Sequence, residues 1–199
     1  MTEATGLRER KRQATRSAIV RAATELFLDR GFTATSVADI AAAAGVSRRT
    51  FFLYFPAKED VLFHHIEAHI QLALDSITAL APDATAWEAV QAAMNALVDA
   101  VDVTAAGADE LADLRREFIR SAGGFPGSLM VRLRSVHTTL LEQLKQHFPD
   151  QTGWPVITAH LGACLGATAA IAAGTPAARR RAAMREAIRR AGVGFIESP

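Results

Sequence analysis

Cysteine is almost missing from this 199-residue chain: Cys164 stands alone. A lone thiol excludes an intrachain disulfide framework and suits a reducing compartment, so a cytoplasmic protein is expected. Net charge is nearly missing too, at +1. No global field then draws the chain to nucleic acid, and any such attraction must come from a local cluster. The N-terminal stretch MTEATGLRERKRQATR has no apolar run, hence no signal-peptide core. Asp, Glu, Lys and Arg are absent from Gln151 to Ala178, which is long enough to cross a bilayer. That stretch is dominated by alanine, glycine and threonine, contains His160, and is interrupted by Gly153, Pro155, Gly174 and Pro176. It reads as a buried helix, and no membrane partner is expected. No nucleophile elbow, phosphate loop or metalloprotease pattern occurs, so an enzyme is not expected, nor is a cofactor.

What is present is helical periodicity. Apolar residues recur at spacings of three and four, as in Ile19, Ala22, Ala23, Leu26 and Trp87, Val90, Met94, Leu97, Val101. No run sustains strand alternation. Gly31, Gly45, Pro56, Pro82, Gly107, the Gly123–Gly127 cluster, the Pro149–Pro155 stretch and Gly174–Pro176 punctuate the segments. Thr85 and Glu88 have the spacing of a capping box, and Thr175–Pro176 can start a last helix. The spacing predicts an all-α fold of about nine helices, near 8–30, 37–44, 48–54, 58–80, 85–103, 108–121, 127–148, 153–173 and 176–196. The first three form a small unit, residues 1–57, and the remainder a larger body, 58–199.

The stretch DIAAAAGVSRRTFFLYF, residues 39–55, puts four aromatic residues into five positions directly after two arginines. Thr35 or Ser36 can cap a helix from Val37 to Ala44. Ala41 allows a close crossing, Gly45 suits a turn needing positive φ, and Ser47 can cap the next helix. Phe51 and Phe55 share one face and can pack on the first helix. Such a pair forms a helix-turn-helix or an ordinary helical hairpin; spacing alone leaves both open. Ser47, Arg48, Arg49 and Thr50 form a helix start whose free N–H groups favour phosphate, and arginine can grip guanine or phosphate.

Residues 16–63, RSAIVRAATELFLDRGFTATSVADIAAAAGVSRRTFFLYFPAKEDVLF, resemble the DNA-binding domain of the TetR family of bacterial transcriptional regulators. The resemblance runs through the Ile-x-x-Ala-Ala-x-x-Leu-Phe helix, Gly31–Phe32, Thr35–Val37, Asp39–Ala41, Ala44–Ser47 and the aromatic run closing on Lys58–Glu59. It implies DNA contacts at the positions of Ser47, Thr50, Phe52, Tyr54 and Lys58. With them we count Arg48, Arg49, Thr35, Ser36 and, from a basic arm, Arg12 and Arg16. Phe52 lacks the hydroxyl of the tyrosine frequent in the family, and Leu53 departs from the polar or aromatic residue many relatives have; Leu53 can instead meet a thymine methyl. The basic arm, which also holds Arg8, Arg10 and Lys11, reads by itself as a solvated helix start, and as a DNA contact once the motif beside it is considered.

The family pattern also implies an effector pocket in the middle helices and a dimer built on the last two. Bulky or polar residues there are Phe63, Ile66, His69, Trp87, Met94, Phe118, Met130 and His137, each either a cavity wall or plain core. Thr158, Gly162, Gly166, Ala170 and Gly174 repeat every four residues and make one helix face nearly flat. With Met184 and Ile188 they read as a homodimer seam, or as close packing within one chain. Arg179, Arg180, Arg181, Arg185, Arg189 and Arg190 read as a solvated face. His64, His65 and His69 include a pair four apart, but no third ligand lies near, and no metal is expected.

The expectation is a dimeric regulator, acting as a repressor, that binds a palindromic operator in double-stranded DNA and is released by a small, mostly apolar effector of unknown identity. The alternative is a DNA-binding regulator without an effector, controlled by abundance or a protein partner. A small enzyme is the third reading, disfavoured by the missing motifs.

Overall fold

A computed structural model describes residues 2–64, 66, 69–101 and 108–196. Those residues hold ten helices and no strand. They are α1 (Thr2–Arg30), α2 (Val37–Ala43), α3 (Arg48–Tyr54), α4 (Glu59–Leu62), α5 (Ile70–Thr78), α6 (Ala86–Val101), α7 (Ala108–Ser121), α8 (Gly127–His147), α9 (Trp154–Gly174) and α10 (Ala177–Ile196). Helix α1 begins earlier than its apolar stripe predicts, because that stripe starts only at Ile19 and the turns before it are polar.

Two cores organise the helices. The first gathers Ile19, Ala23 and Phe27 of α1, Ile40 and Ala41 of α2, Phe51 and Phe55 at α3, and Val61, Leu62 and Phe63. It also takes in Leu129 of α8, with Phe118 of α7 packed against it. The core of the N-terminal unit therefore runs past residue 57 and into the body. The second core joins Ala73 and Ile77 of α5 to Val90, Ala93 and Met94 of α6, Val136 and Leu140 of α8, Leu161 and Leu165 of α9, and Ile188 of α10. Helix α6 starts on the anticipated capping box: Thr85 N–H donates to Glu88 Oε2 at 2.8 Å, and Glu88 N–H to Thr85 Oγ1 at 3.2 Å. Helix α9 is long and apolar enough to cross a membrane by length and composition. It also sends Ile157, His160, Leu161, Cys164, Leu165 and Thr168 into the body, as a buried helix does.

The largest difference from the periodicity lies in the segment 58–80, which is not one helix. Helix α4 stops at Leu62 in a turn at Phe63, residues 64 and 66 are helical again, and after a second turn at His69 helix α5 begins at Ile70. The Leu62 carbonyl, which a continuing helix would pair with the N–H of residue 66, accepts Arg115 Nε instead, at 2.7 Å. The Ile66 N–H turns to Phe63 O at 3.1 Å, a tighter three-residue step. A side chain inserted into the i to i−4 ladder is a recognised cause of a helix break. Arg115 lies 53 positions away in sequence, so no local signal announces the interruption. His65 lies outside the described residues, as do positions 102 and 103 at the end of the predicted sixth helix.

Candidate nucleic-acid interface and cavity

Local chemistry sets α2 and α3 without help from the body. Ser36 caps α2: Asp39 N–H donates to Ser36 Oγ at 3.2 Å, and Ser36 N–H donates to Asp39 Oδ2 at 2.9 Å. These bonds to Ser36 hold the Asp39 carboxyl below its ordinary range. Helix α2 closes with Gly45 N–H on Ala42 O at 3.1 Å and Val46 N–H on Ala41 O at 2.9 Å. That pair of bonds is a Schellman closure, and it requires the φ of 67° that Gly45 adopts. Ser47 then caps α3, accepting from Thr50 N–H at 3.0 Å.

A helix of seven residues is not stable alone in water. Phe51 and Phe55 are fully buried and hold α3 against α1 and α2. Burial of each such ring contributes about 1.5–3 kcal/mol. With the anchors inside, Arg48, Arg49, Phe52 and Leu53 are turned out, and Leu53 is 76% exposed. Thr50 and Tyr54 are half-buried; the Thr50 hydroxyl lies 2.8 Å from Ser47 Oγ. Arg12 is exposed on α1, whereas Arg16 is half-buried with its guanidinium 5.4 Å from the Phe55 ring.

Two residues of the predicted contact set serve the fold. Thr35 is buried, and its hydroxyl contacts Gly31 O at 2.9 Å and Leu26 O at 3.2 Å, so its side chain is out of reach of DNA. The Lys58 ammonium donates to Phe32 O at 2.8 Å and Thr35 O at 2.9 Å and sits 4.4 Å from the Phe32 ring centroid. Lys58 therefore pins the connection between α1 and α2, with at most one of its three donors left for a phosphate.

Above this unit the body encloses a cavity of about 140 Å³. Four of the residues expected to face it do so: Phe63, Ile66, His69 and Met94. The other four are placed elsewhere. Trp87 stacks on His160 with ring centroids 3.9 Å apart. Phe118 packs between Phe32 and Phe63. Met130 is half exposed on α8. His137 bridges α8 to α9, with Nε2 3.1 Å from Thr158 O. Spacing identifies which residues are bulky on a helix but not which side of that helix meets a void.

Three arginines were not legible as site residues. Arg115 and Arg180 line the cavity. Burial, then the neighbouring Arg180 charge, pushes the Arg115 guanidinium down to about 10. Arg180 corrects the reading of its run as a wholly solvated face: it is 3% exposed, while Arg179, Arg185, Arg189 and Arg190 are exposed. Arg132, also buried, forms an ion pair with Asp60 at 3.2 Å. The second Asp60 oxygen accepts Ala57 N–H at 2.8 Å. Body arginines thus hold α4 at both ends, at Asp60 and at Leu62. The available signal was a basic residue falling on the apolar stripe of α7, α8 or α10.

On α9 the expected seam separates into two classes. Gly162, Gly166 and Ala170 are exposed, and a side chain added at Gly166 would meet nothing within 4 Å. Thr158 is half-buried under His137. Met184 and Ile188 are 3% and 1% exposed and belong to the chain's own core, leaving no surface to offer a second copy.

Residues 19–64 match the family model for bacterial regulatory proteins of the tetR family. The likeness to that family is carried by this N-terminal segment. The HTH-type transcriptional regulator TcmR of Streptomyces glaucescens is 48% identical over 63 residues, which are 32% of this chain and 28% of TcmR. An HTH-type regulator of Bacillus subtilis, YwcC, is 39% identical over 57 residues, 29% of this chain and 26% of YwcC. The chain therefore spans under a third of the length of these relatives. Whole-length likeness appears in solved structures and concerns the fold. A TetR regulator from Nitrosomonas europaea superposes with a TM-score of 0.58 at 18% identity, covering 91% of this chain and 97% of that one. The repressor FadR of Thermus thermophilus, solved in complex with lauroyl-CoA, gives 0.55 at 23% identity, covering 92% and 93%.

Proposed function

We propose that the chain is a transcriptional regulator that binds double-stranded DNA through α3 and is controlled by a small molecule in the body cavity. The observation that carries the reading is the division of labour on α3. Phe51 and Phe55 hold the helix from inside, which leaves Arg48, Arg49 and Phe52 facing out next to a capped helix start. Free N–H groups and arginines at a helix start suit phosphate and guanine. One such helix reads only a few base pairs. Operator specificity calls for two copies about 34–36 Å apart on a two-fold axis, hence a homodimer on a palindrome. The exposed small-residue face of α9 suits that assembly, because bare backbone lets a second helix approach closely.

Control follows from the way α4 is held. It carries the α3 unit at one end and meets Arg132 and Arg115 of the body along its length. A ligand that prefers one placement of α4 shifts the spacing of the two recognition helices and with it operator affinity. Release of DNA by the ligand makes the regulator a repressor of the genes beside its operator. Footprinting the purified protein on genomic DNA tests the reading. A protected palindrome supports it, and a protein that protects no sequence overturns it. A protected site that no small molecule affects would favour control by abundance or by a protein partner.

A further inference from the structure

Resting on the ligand-controlled reading above, we propose that the cavity takes a compact apolar carboxylate, with Arg115 as the receptor for its acid group. The walls are Phe63, Ile66, Met94, Leu133, Val136 and Leu165, which suit a hydrocarbon body. Into this apolar space two arginines, Arg115 and Arg180, present positive charge. Among the described residues no carboxylate pairs with Arg115; its hydrogen bond is the one from Nε to Leu62 O. A guanidinium drawn partly out of water without a carboxylate beside it is costly, and the fold keeps one here, half-buried, beside a second cation. Burial first, and then the Arg180 charge, lower its pKa to about 10, in keeping with that cost. An entering carboxylate offsets it, because a planar fork meets a carboxylate with two parallel bonds.

The volume limits the hydrocarbon. About 140 Å³ matches the cavity size that holds one benzene ring, so one aromatic ring or a chain of about six carbons fits it. Arg180 adds to the pull on the acid, whereas Thr168 and His69 at the wall do not compete for it. The Thr168 hydroxyl is spent on Cys164 O at 2.8 Å and Leu165 O at 3.0 Å. His69 is held toward its neutral form by burial and then by the Arg115 charge. The same guanidinium closes the end of α4 through Leu62, so a ligand that draws it away acts directly on the helix break.

The test is calorimetry on the full chain with benzoate and its uncharged counterpart benzamide, and with hexanoate and hexanamide. In the wild type each acid should bind at least tenfold tighter than its amide. Arg115→Met should lower that preference severalfold, Arg180 remaining, and leave amide binding within about twofold, a result that loss of folding would not give. Arg115→Lys, which keeps the charge and loses the fork, should fall between. Acids and amides that bind alike, or acids that do not bind at all, overturn the proposal. Operator titrations on the same samples separate the two claims. If an uncharged compound releases the operator and the acids do not, the carboxylate is wrong and ligand control stands. If no operator is bound, ligand control fails, and the calorimetric comparison still decides whether Arg115 receives an acid.

Discussion

Arginine is used in two opposite ways in this molecule. At the start of α3, Arg48 and Arg49 stand in water on a helix whose stability comes from phenylalanines on its other face. In the body, Arg132 is buried and Arg115 half-buried, and both are committed to groups on α4. The exposed pair can be changed without touching the fold. The inner pair is part of the fold, and each member joins two segments far apart in sequence. A charge that costs little to expose is available to a partner; a charge that costs much to bury holds the architecture or awaits an anion.

The inner arginines give the largest expected effect. Arg132→Met leaves the Asp60 carboxylate buried without its cation, and such a change costs about 3–5 kcal/mol. Chemical denaturation should show that loss, and adding Asp60→Asn to the same protein should restore much of it. A small effect of the single change would mean that the pair is solvated and that the contrast with Arg48 and Arg49 is false.

Assembly comes next. Gly166 faces open space within the protomer, so Gly166→Leu should leave the monomer's helicity intact. At a two-fold seam the added bulk is felt by both copies, at about 1–3 kcal/mol each. Sedimentation should show a dimer for the wild type and a monomer for the variant. A variant that stays dimeric with full operator affinity moves the seam elsewhere.

The basic arm has a smaller effect. Removing residues 1–12 should make the salt dependence of DNA binding shallower, by about one unit per lost phosphate contact. An unchanged slope means that Arg12 and its neighbours are a solvated helix start. Acid gives the most gradual change. Burial lowers His64, His69 and His160 below the usual 6.5. The unfolded chain therefore takes up protons first, and stability present above pH 6.5 is lost as pH falls through the folded values. Thermal melts at pH 7 and pH 5 should show the lower midpoint at pH 5. A flat profile would place these rings in contact with water.

The recognition unit was legible because its signals are local. Ser36, Gly45 and Ser47 fix both ends of the turn within a dozen residues, and the boundaries of α2 and α3 fall where they point. The all-helical body was legible from periodicity. Its interior was less so, because contacts such as Arg115 to Leu62 and Arg132 to Asp60 depend on which helix faces which. Lys58 and Thr35 show the same limit at short range: a motif names the position, and only packing shows whether the side chain faces DNA or its own backbone.

The most direct test of the central claim is an anisotropy titration of a labelled duplex carrying the footprinted palindrome, with wild type and with Arg48→Ala/Arg49→Ala. Both residues are exposed, so the double variant should keep wild-type helicity and melting. Each lost contact to DNA should cost about 1–3 kcal/mol, and together they should weaken binding by at least tenfold. Wild-type affinity in the double variant would contradict the account, because the exposed arginines of α3 would then not be the surface that meets DNA.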